Sequence, residues 1–127
     1  MKLITNSVHL IDSAIEKSHV NVEQNIYRAV QDDDWLLEKY VGGIFCEKAF
    51  GSYSLKIENA MSYINPENPI IFRRLLNKNT KALYLDKSEY EILLPRNIEN
   101  EIITIETVKI LDYKTKMYTI EDKRVKK

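Results

Sequence analysis

Cysteine is nearly absent from this chain: Cys46 is the only one in 127 residues, which excludes an internal disulfide and a cysteine-built metal site. Histidine is almost as scarce. A zinc site on His9 and His19 would need its remaining ligands from remote positions, and no metal is expected. Net charge is also lacking, because 19 Lys plus Arg are matched by 19 Asp plus Glu. That balance removes the basic surface that dominates non-specific nucleic-acid affinity, so nucleic acid is not an expected partner. Long apolar runs are missing too: stretches such as Ala82-Leu83-Tyr84-Leu85 are far short of the ~20 residues that span a bilayer. The Met1-Lys2-Leu3-Ile4 start holds no apolar stretch of signal length. Neither a membrane span nor a secretion signal is expected, and a cytoplasmic start is. The three glycines all fall between positions 42 and 51, which concentrates backbone freedom in one part of the chain. No repeat or low-complexity stretch occurs.

What is present is enough to fold. Apolar residues make up 44% of the chain and charged ones 30%, outside the range of disordered sequences, and the length suits one domain over residues 1–127. Val8, Ile11 and Ile15 recur at helical spacing behind Asn6, a candidate cap, and predict a helix over 7–17. The β-formers of 25–30 predict a strand that stops at the acidic run Gln31 to Asp34, followed by a short helix over 35–40 that Gly42-Gly43 ends. A second strand follows at Phe50-Gly51-Ser52-Tyr53-Ser54-Leu55. Ile57, Ala60, Met61 and Ile64 then mark a helix of about two turns, closed by Asn65-Pro66. From residue 69 onward the pattern is β, with segments at 69–76, 82–85, 89–95, 101–110 and 116–120. Helices in the first half and strands in the second argue for an α+β fold with a largely antiparallel sheet system, and against a doubly wound nucleotide fold.

Several residues in these segments can carry chemistry. Glu89 and Glu91 leave the same face of a strand with Cα atoms roughly 6.5 to 7 Å apart, so two carboxylates can serve two atoms of one substrate. Burial or mutual repulsion would separate their pKa values, as an acid and base pair requires. Taken by itself, Glu-x-Glu is ordinarily a solvated strand face. Ser52 and Ser54 repeat the two-residue relation; same-face hydroxyls can orient a carboxylate, and Ser54 is also placed to cap the helix from Lys56. Arg28 offers either a bidentate clamp for phosphate or a salt bridge with a snorkelling stem. Arg73 and Arg74 are adjacent, so only one of them can face a cleft, where it could be a second phosphate contact. Tyr63 and Phe72 could stack on a ring, although core packing is the ordinary job of each.

The order of these pieces is more specific than any one of them. Tyr27-Arg28-Ala29-Val30, then Gly51-Ser52-Tyr53-Ser54-Leu55, then Lys81-Ala82-Leu83-Tyr84-Leu85 leading into Glu89-Tyr90-Glu91-Ile92-Leu93-Leu94-Pro95-Arg96, resembles the mono-ADP-ribosyltransferase exoenzymes. That family uses an arginine, a serine-x-serine and a glutamate-x-glutamate motif, and it includes the actin-modifying binary clostridial toxins. The resemblance covers about Ile26 to Asn97 and implies a mostly antiparallel two-sheet core, reduced in size, with NAD as co-substrate, no metal, and a protein acceptor. It assigns Arg28 to the phosphates and ribose of NAD and groups Ser54 with the NAD-binding residues. Ser52 would buttress the catalytic carboxylate. Glu91 would be that carboxylate, hydrogen-bonding the ribose 2′-hydroxyl as nicotinamide leaves, and Glu89 would orient or deprotonate the acceptor. A glutamate at the first position of the pair looks like the arginine-modifying branch. A guanidinium with a pKa above about 12 needs such help to become a nucleophile.

The sequence also departs from the family pattern. Ala29 replaces the usual glycine after the arginine, and Tyr53 replaces the threonine between the serines, although pleat alternation turns Tyr53 away from the two hydroxyls. The target-recognition loop is reduced to about Asp86-Lys87-Ser88, without an aromatic anchor, and the helical region before Arg28 is short. These departures keep a second function in view, a catalytically degenerate module that binds a protein partner as an inhibitor. In that case side chains such as Tyr53 would fill the cleft.

Overall fold

The computed structural model describes residues 2–18, 23–31, 34–36, 39–48, 51–78, 80–86 and 90–123. In chain order the elements are α1 (Lys2–Glu16), β1 (Gln24–Ala29), a 3-10 turn (Asp34–Leu36), β2 (Ile44–Glu47), β3 (Gly51–Ser54), α2 (Ile57–Met61), β4 (Ile70–Leu76), β5 (Leu83–Asp86), β6 (Glu91–Leu94), β7 (Ile98–Ile110) and β8 (Tyr113–Asp122). The α+β class and the shift from helix to strand match the sequence reading. No helix among the described residues is long and apolar enough to cross a membrane.

Four elements differ from expectation. The short helix expected over 35–40 is a 3-10 turn over Asp34–Leu36, with residues 39 and 40 outside any helix and 37 and 38 outside the described residues. The apolar stripe of the first helix extends one step further back, through Ile4, so α1 starts at Lys2 and Asn6 lies inside it instead of capping it. Ile44-Phe45-Cys46-Glu47 is a strand that sequence reading left unassigned; only four residues long, it alternates exposed with half-buried positions and finds its partner in β7. The second helix is a single turn, and Ser54 does not cap it. Lys56 is its N-cap residue, and the Ser54 hydroxyl accepts from Lys56 N–H at 3.1 Å while donating to Lys56 C=O at 2.9 Å, which makes a local hydroxyl turn before the helix.

All eight strands share one hydrogen-bonded ladder in the order β2-β7-β8-β4-β1-β3-β6-β5, antiparallel except for β4 against β8. The ladder is a continuous curled sheet, yet it has two halves. β1 pairs with β4 over six positions, from Gln24↔Leu76 to Ala29↔Ile71, whereas β1 and β3 meet at the single pair Tyr27↔Ser54. The two halves anticipated as two sheets are therefore joined at one register position, and β1 and β3 are free to splay on either side of it.

Register assigns every side chain near this joint to a face. Ile26, Phe72, Arg74, Tyr53, Ile92, Leu94, Asn100 and Ile120 share one face and belong to, or lie within, the main buried core. An aromatic group of Trp35, Phe45, Phe72 and Tyr118, with ring centroids 4.9 to 6.0 Å apart, packs there. On the opposite face Ala60 and Met61 of α2 cover Ile71 and Met117, with Tyr27 and Ala29 packed alongside. Gly42 carries a φ of 89° in the turn before β2, a conformation costly for residues with a Cβ. Its N–H and the Gly43 carbonyl bond Ile102 of β7. This turn delivers β2 to the edge of the sheet beside β7, where pleat alternation puts Phe45 and Glu47 on the core face.

Candidate active site

A cleft of about 600 Å³ opens at the β1–β3 joint, on the face that α2 covers. Tyr27, Arg28 and Ala29 line it from β1, Ser52, Tyr53 and Ser54 from β3, Glu91 from β6, and Asn59, Ala60, Ser62 and Tyr63 from α2 and its exit. Four of the five residues singled out from sequence (Arg28, Ser52, Ser54 and Glu91) thus line one cleft. Glu89, the fifth, lies outside the described residues.

Glu91 opens β6 directly opposite Ser54, with Ser52↔Leu93 the next same-face pair, so both hydroxyls and the carboxylate leave the same side of the sheet. Ser52 Oγ donates to Glu91 Oε2 at 2.6 Å, the length of a charge-assisted bond. Tyr90, just before Glu91, has a φ of 57°, unusual for an aromatic residue. Its carbonyl accepts Leu55 N–H at 2.7 Å, and Lys56 Nζ stands 4.0 Å from its ring centroid. These contacts lock the entry to β6 against the segment that follows β3, so the approach of Glu91 to the serines is fixed from both strands.

Arg28 reaches the cleft differently. Pleat alternation sends its side chain to the face opposite Tyr27, where its Nη1 donates to Glu47 Oε2 at 2.5 Å; 42% of the side chain remains exposed. Glu47 is the centre of a buried polar group that sequence reading missed. Its Oε1 accepts from Arg74 Nη2 at 2.7 Å, Tyr53 OH at 2.9 Å and Asn100 Nδ2 at 3.0 Å. Arg74 Nη2 also donates to Asn100 Oδ1 and, at 3.3 Å, to Tyr53 OH. Arg74 and Asn100 are buried. Burial raises the Tyr53 phenol to about 12, with Arg74 opposing and Glu47 adding to the shift. For Arg74 burial acts to lower the pKa, but Tyr53 and Glu47 outweigh it and the guanidinium is held above its ordinary value.

The two adjacent arginines separate as strand geometry requires, but neither is a phosphate contact lining the cleft. Arg74 is the core ion-pair partner of Glu47, and Arg73 donates to Thr119 Oγ1 at 2.8 and 3.1 Å and pairs with Glu106. Of the two aromatic candidates, Phe72 is core, whereas Tyr63 is 70% exposed and lines the cleft, contrary to the core job expected of it. The single-turn α2 ends before Tyr63, so its side chain stays off the packed face. Tyr53 is turned to the core face, as alternation predicts, and leaves the serine face of the cleft open. A missed signal for Glu47 did exist: Phe45-Cys46-Glu47 alternates an aromatic with a carboxylate, a pattern that puts the charge on the aromatic's buried face if the segment is a strand.

A model of the ADP-ribosyltransferase exoenzyme family matches residues 1–127. The chain belongs to that family. Solved structures agree in fold. The chain is similar to Plx2a, an ADP-ribosyltransferase toxin from Paenibacillus larvae (TM-score 0.72, 16% identity, 96% of this chain and 72% of that one). It is also similar to the enzymatic component C2-I of the Clostridium botulinum C2-toxin (TM-score 0.75, 19% identity, 96% of this chain and 37% of that one). A third similar structure is C3stau2 from S. aureus, solved with NAD (TM-score 0.73, 21% identity, 97% of this chain and 73% of that one). The chain therefore spans about three quarters of two of these structures' chains and well under half of the third. No curated protein matches it in sequence.

Proposed function

We propose that this ADP-ribosyltransferase, acting as a single domain over residues 1–127, cleaves the nicotinamide glycosidic bond of NAD and transfers ADP-ribose to a protein side chain, with arginine as the acceptor. The observation that carries the reading is the 2.6 Å bond from Ser52 to Glu91 at the edge of a 600 Å³ cleft. Loss of nicotinamide develops an oxocarbenium-like ribose, and a carboxylate already oriented beside it stabilises that charge without reorganising in the reaction. In this mechanism Glu91 hydrogen-bonds the ribose 2′-hydroxyl, and the Ser52 hydroxyl holds the carboxylate in its productive rotamer. Ser54 takes part as a wall of the nucleotide site. Arg28 grips the diphosphate with the N–H groups not engaged by Glu47, because a planar guanidinium fork matches phosphate oxygens. Glu89 orients and helps deprotonate the acceptor guanidinium. The exposed ring of Tyr63 is the aromatic wall available to the nicotinamide.

The alternative of a catalytically degenerate partner-binding module finds support in one feature, the prior engagement of Arg28 by Glu47 at 2.5 Å. Incubation with labelled NAD and a cell lysate, comparing wild type with Glu91→Gln, separates the two. Labelled protein bands that vanish in the variant are expected, and mass spectrometry of the labelled peptides identifies the acceptor, arginine being the expected result. Folded wild-type protein that neither labels a target nor releases nicotinamide would leave the binding module.

A further inference from the structure

Glu47 has no place in the motif set, yet it accepts hydrogen bonds from four polar side chains, Arg28, Arg74, Tyr53 and Asn100. We infer that Glu47 is a positioning residue for the transferase reaction, one that sets the guanidinium of Arg28 toward the diphosphate of NAD. The inference rests on the reading of the cleft as an NAD site. Its two oxygens have separate duties. Oε1 is anchored from below by Arg74, Tyr53 and Asn100, and Oε2 is given, among the described residues, to Arg28 alone. The anchors come from three different strands, β4, β3 and β7, so the carboxylate cannot rotate without breaking contacts in three parts of the sheet. The carboxylate side chain is 10% exposed and Arg74 2% exposed, whereas Arg28 is 42% exposed. The chain of contacts therefore runs from a fixed core cation to a cation that faces solvent at the cleft.

Charge explains why two arginines are used. Arg28 paired with Glu47 alone would form a neutral couple with little attraction for a diphosphate. Arg74 beneath adds a second guanidinium, so two cations against one carboxylate leave this group a net charge of +1 behind the cleft, opposite in sign to Glu91 across it. Glu47 thus directs Arg28 without cancelling the field that draws the anion. Tyr53 serves the same group twice, by its hydroxyl bond to Glu47 and by its ring, whose centroid lies 5.3 Å from the guanidinium carbon of Arg74 and 5.9 Å from that of Arg28. The substitution of tyrosine between the two serines acquires a purpose on the core face.

The test is steady-state nicotinamide release together with equilibrium NAD binding for wild type, Glu47→Gln, Glu47→Asp, Arg28→Ala and the Glu47→Gln/Arg28→Ala double variant. A positioning role predicts that Glu47→Gln raises KM and Kd for NAD about tenfold with kcat within about threefold. In the double variant NAD affinity equals that of Arg28→Ala alone, since Glu47 acts only through Arg28. Should Glu47→Gln fail to fold for want of a counterion to Arg74, Glu47→Asp decides. It keeps the charge but is one methylene shorter, and a several-fold rise in KM is expected. Folded variants with unchanged KM, a fall in kcat alone, or losses that add fully to those of Arg28→Ala would overturn the inference while leaving the transferase reading intact. Wild type that neither binds nor cleaves NAD overturns that reading and this inference with it, and shows itself before any variant is compared.

Discussion

Two carboxylates stand at the same joint of the sheet, on opposite faces, and they are held in contrasting ways. Glu91 is half-buried at the mouth of the cleft and is held by one hydroxyl, Ser52, at 2.6 Å. Glu47, on the core face, accepts from four side chains, two of them guanidinium groups. A group that must meet a charge appearing in a transition state needs open valences toward substrate, so it is oriented lightly and left accessible. A group that must hold another side chain still needs the reverse, every lone pair engaged and no freedom to move. The Arg74 Nε atom, buried without a hydrogen-bond partner among the described residues, shows that the core-face arrangement carries an uncompensated desolvation cost. One carboxylate therefore belongs to chemistry and the other to placement, and their substitution should separate along that line.

The largest effect is expected from removing the core cation. Arg74→Ala leaves Glu47 and Tyr53 without their buried partner and should destabilise the fold by about 3 to 5 kcal/mol, much of the stability of a domain this size. A shift of the urea midpoint measures it. Glu91→Gln is expected to behave oppositely: kcat for nicotinamide release falls about 10² to 10³-fold, or ~2.7 to 4 kcal/mol in the barrier, while the urea midpoint and NAD affinity change little. If Glu91→Gln instead shifted the midpoint as far as Arg74→Ala, the division between the two faces would be lost.

How far this division could be read beforehand depends on the range of the interaction. Ser52, Ser54 and Glu91 were legible because their relation is local to a strand and its period of two, and because their order along the chain resembles a family pattern. The β1–β3 joint was not legible. It arises from a single register pair, Tyr27↔Ser54, set by how many residues β1 gives to β4, and no local pattern encodes that count. Glu47 was missed for a related reason: its partners lie 19, 27, 6 and 53 residues away in sequence, and only a folded sheet brings them together. Adjacency of Arg73 and Arg74 correctly implied opposite faces, but which face opens to solvent follows from where α2 packs. Tyr63 reads as a core aromatic until α2 is seen to stop short of it.

Alkaline titration sharpens the comparison without removing a residue of the cleft's serine face. Burial raises the Tyr53 phenol from 10.0 to about 12 in the folded protein. Between these values the native state keeps a proton that the unfolded chain has released, so stability falls as pH rises. The contribution is fully present below pH 10 and is lost by about pH 12. Two pH units correspond to about 2 to 3 kcal/mol. Tyr53→Phe should be slightly less stable than wild type at pH 8, for loss of the bond to Glu47, yet should show a shallower decline between pH 10 and 12. Parallel declines in the two proteins would mean that the core-face group does not hold its phenol neutral.

The smallest effect is expected on the light side of the comparison. Ser52→Ala removes the only hydroxyl that donates to Glu91 among the described residues. Because both groups face the cleft, water can take the place of the lost donor, and the folded state should lose less than ~1 kcal/mol. The carboxylate itself remains, so the loss in kcat is that of orientation alone, about three- to tenfold, or ~0.7 to 1.4 kcal/mol. KM for NAD should hardly move, since the affected rotamer matters most when charge develops on the ribose. A Ser52→Thr variant, which restores a hydroxyl at the same Cβ, should recover most of the rate. If instead Ser52→Ala matched Glu91→Gln in kcat, Ser52 would be acting on substrate directly, and Glu91 would be held by something other than its 2.6 Å partner.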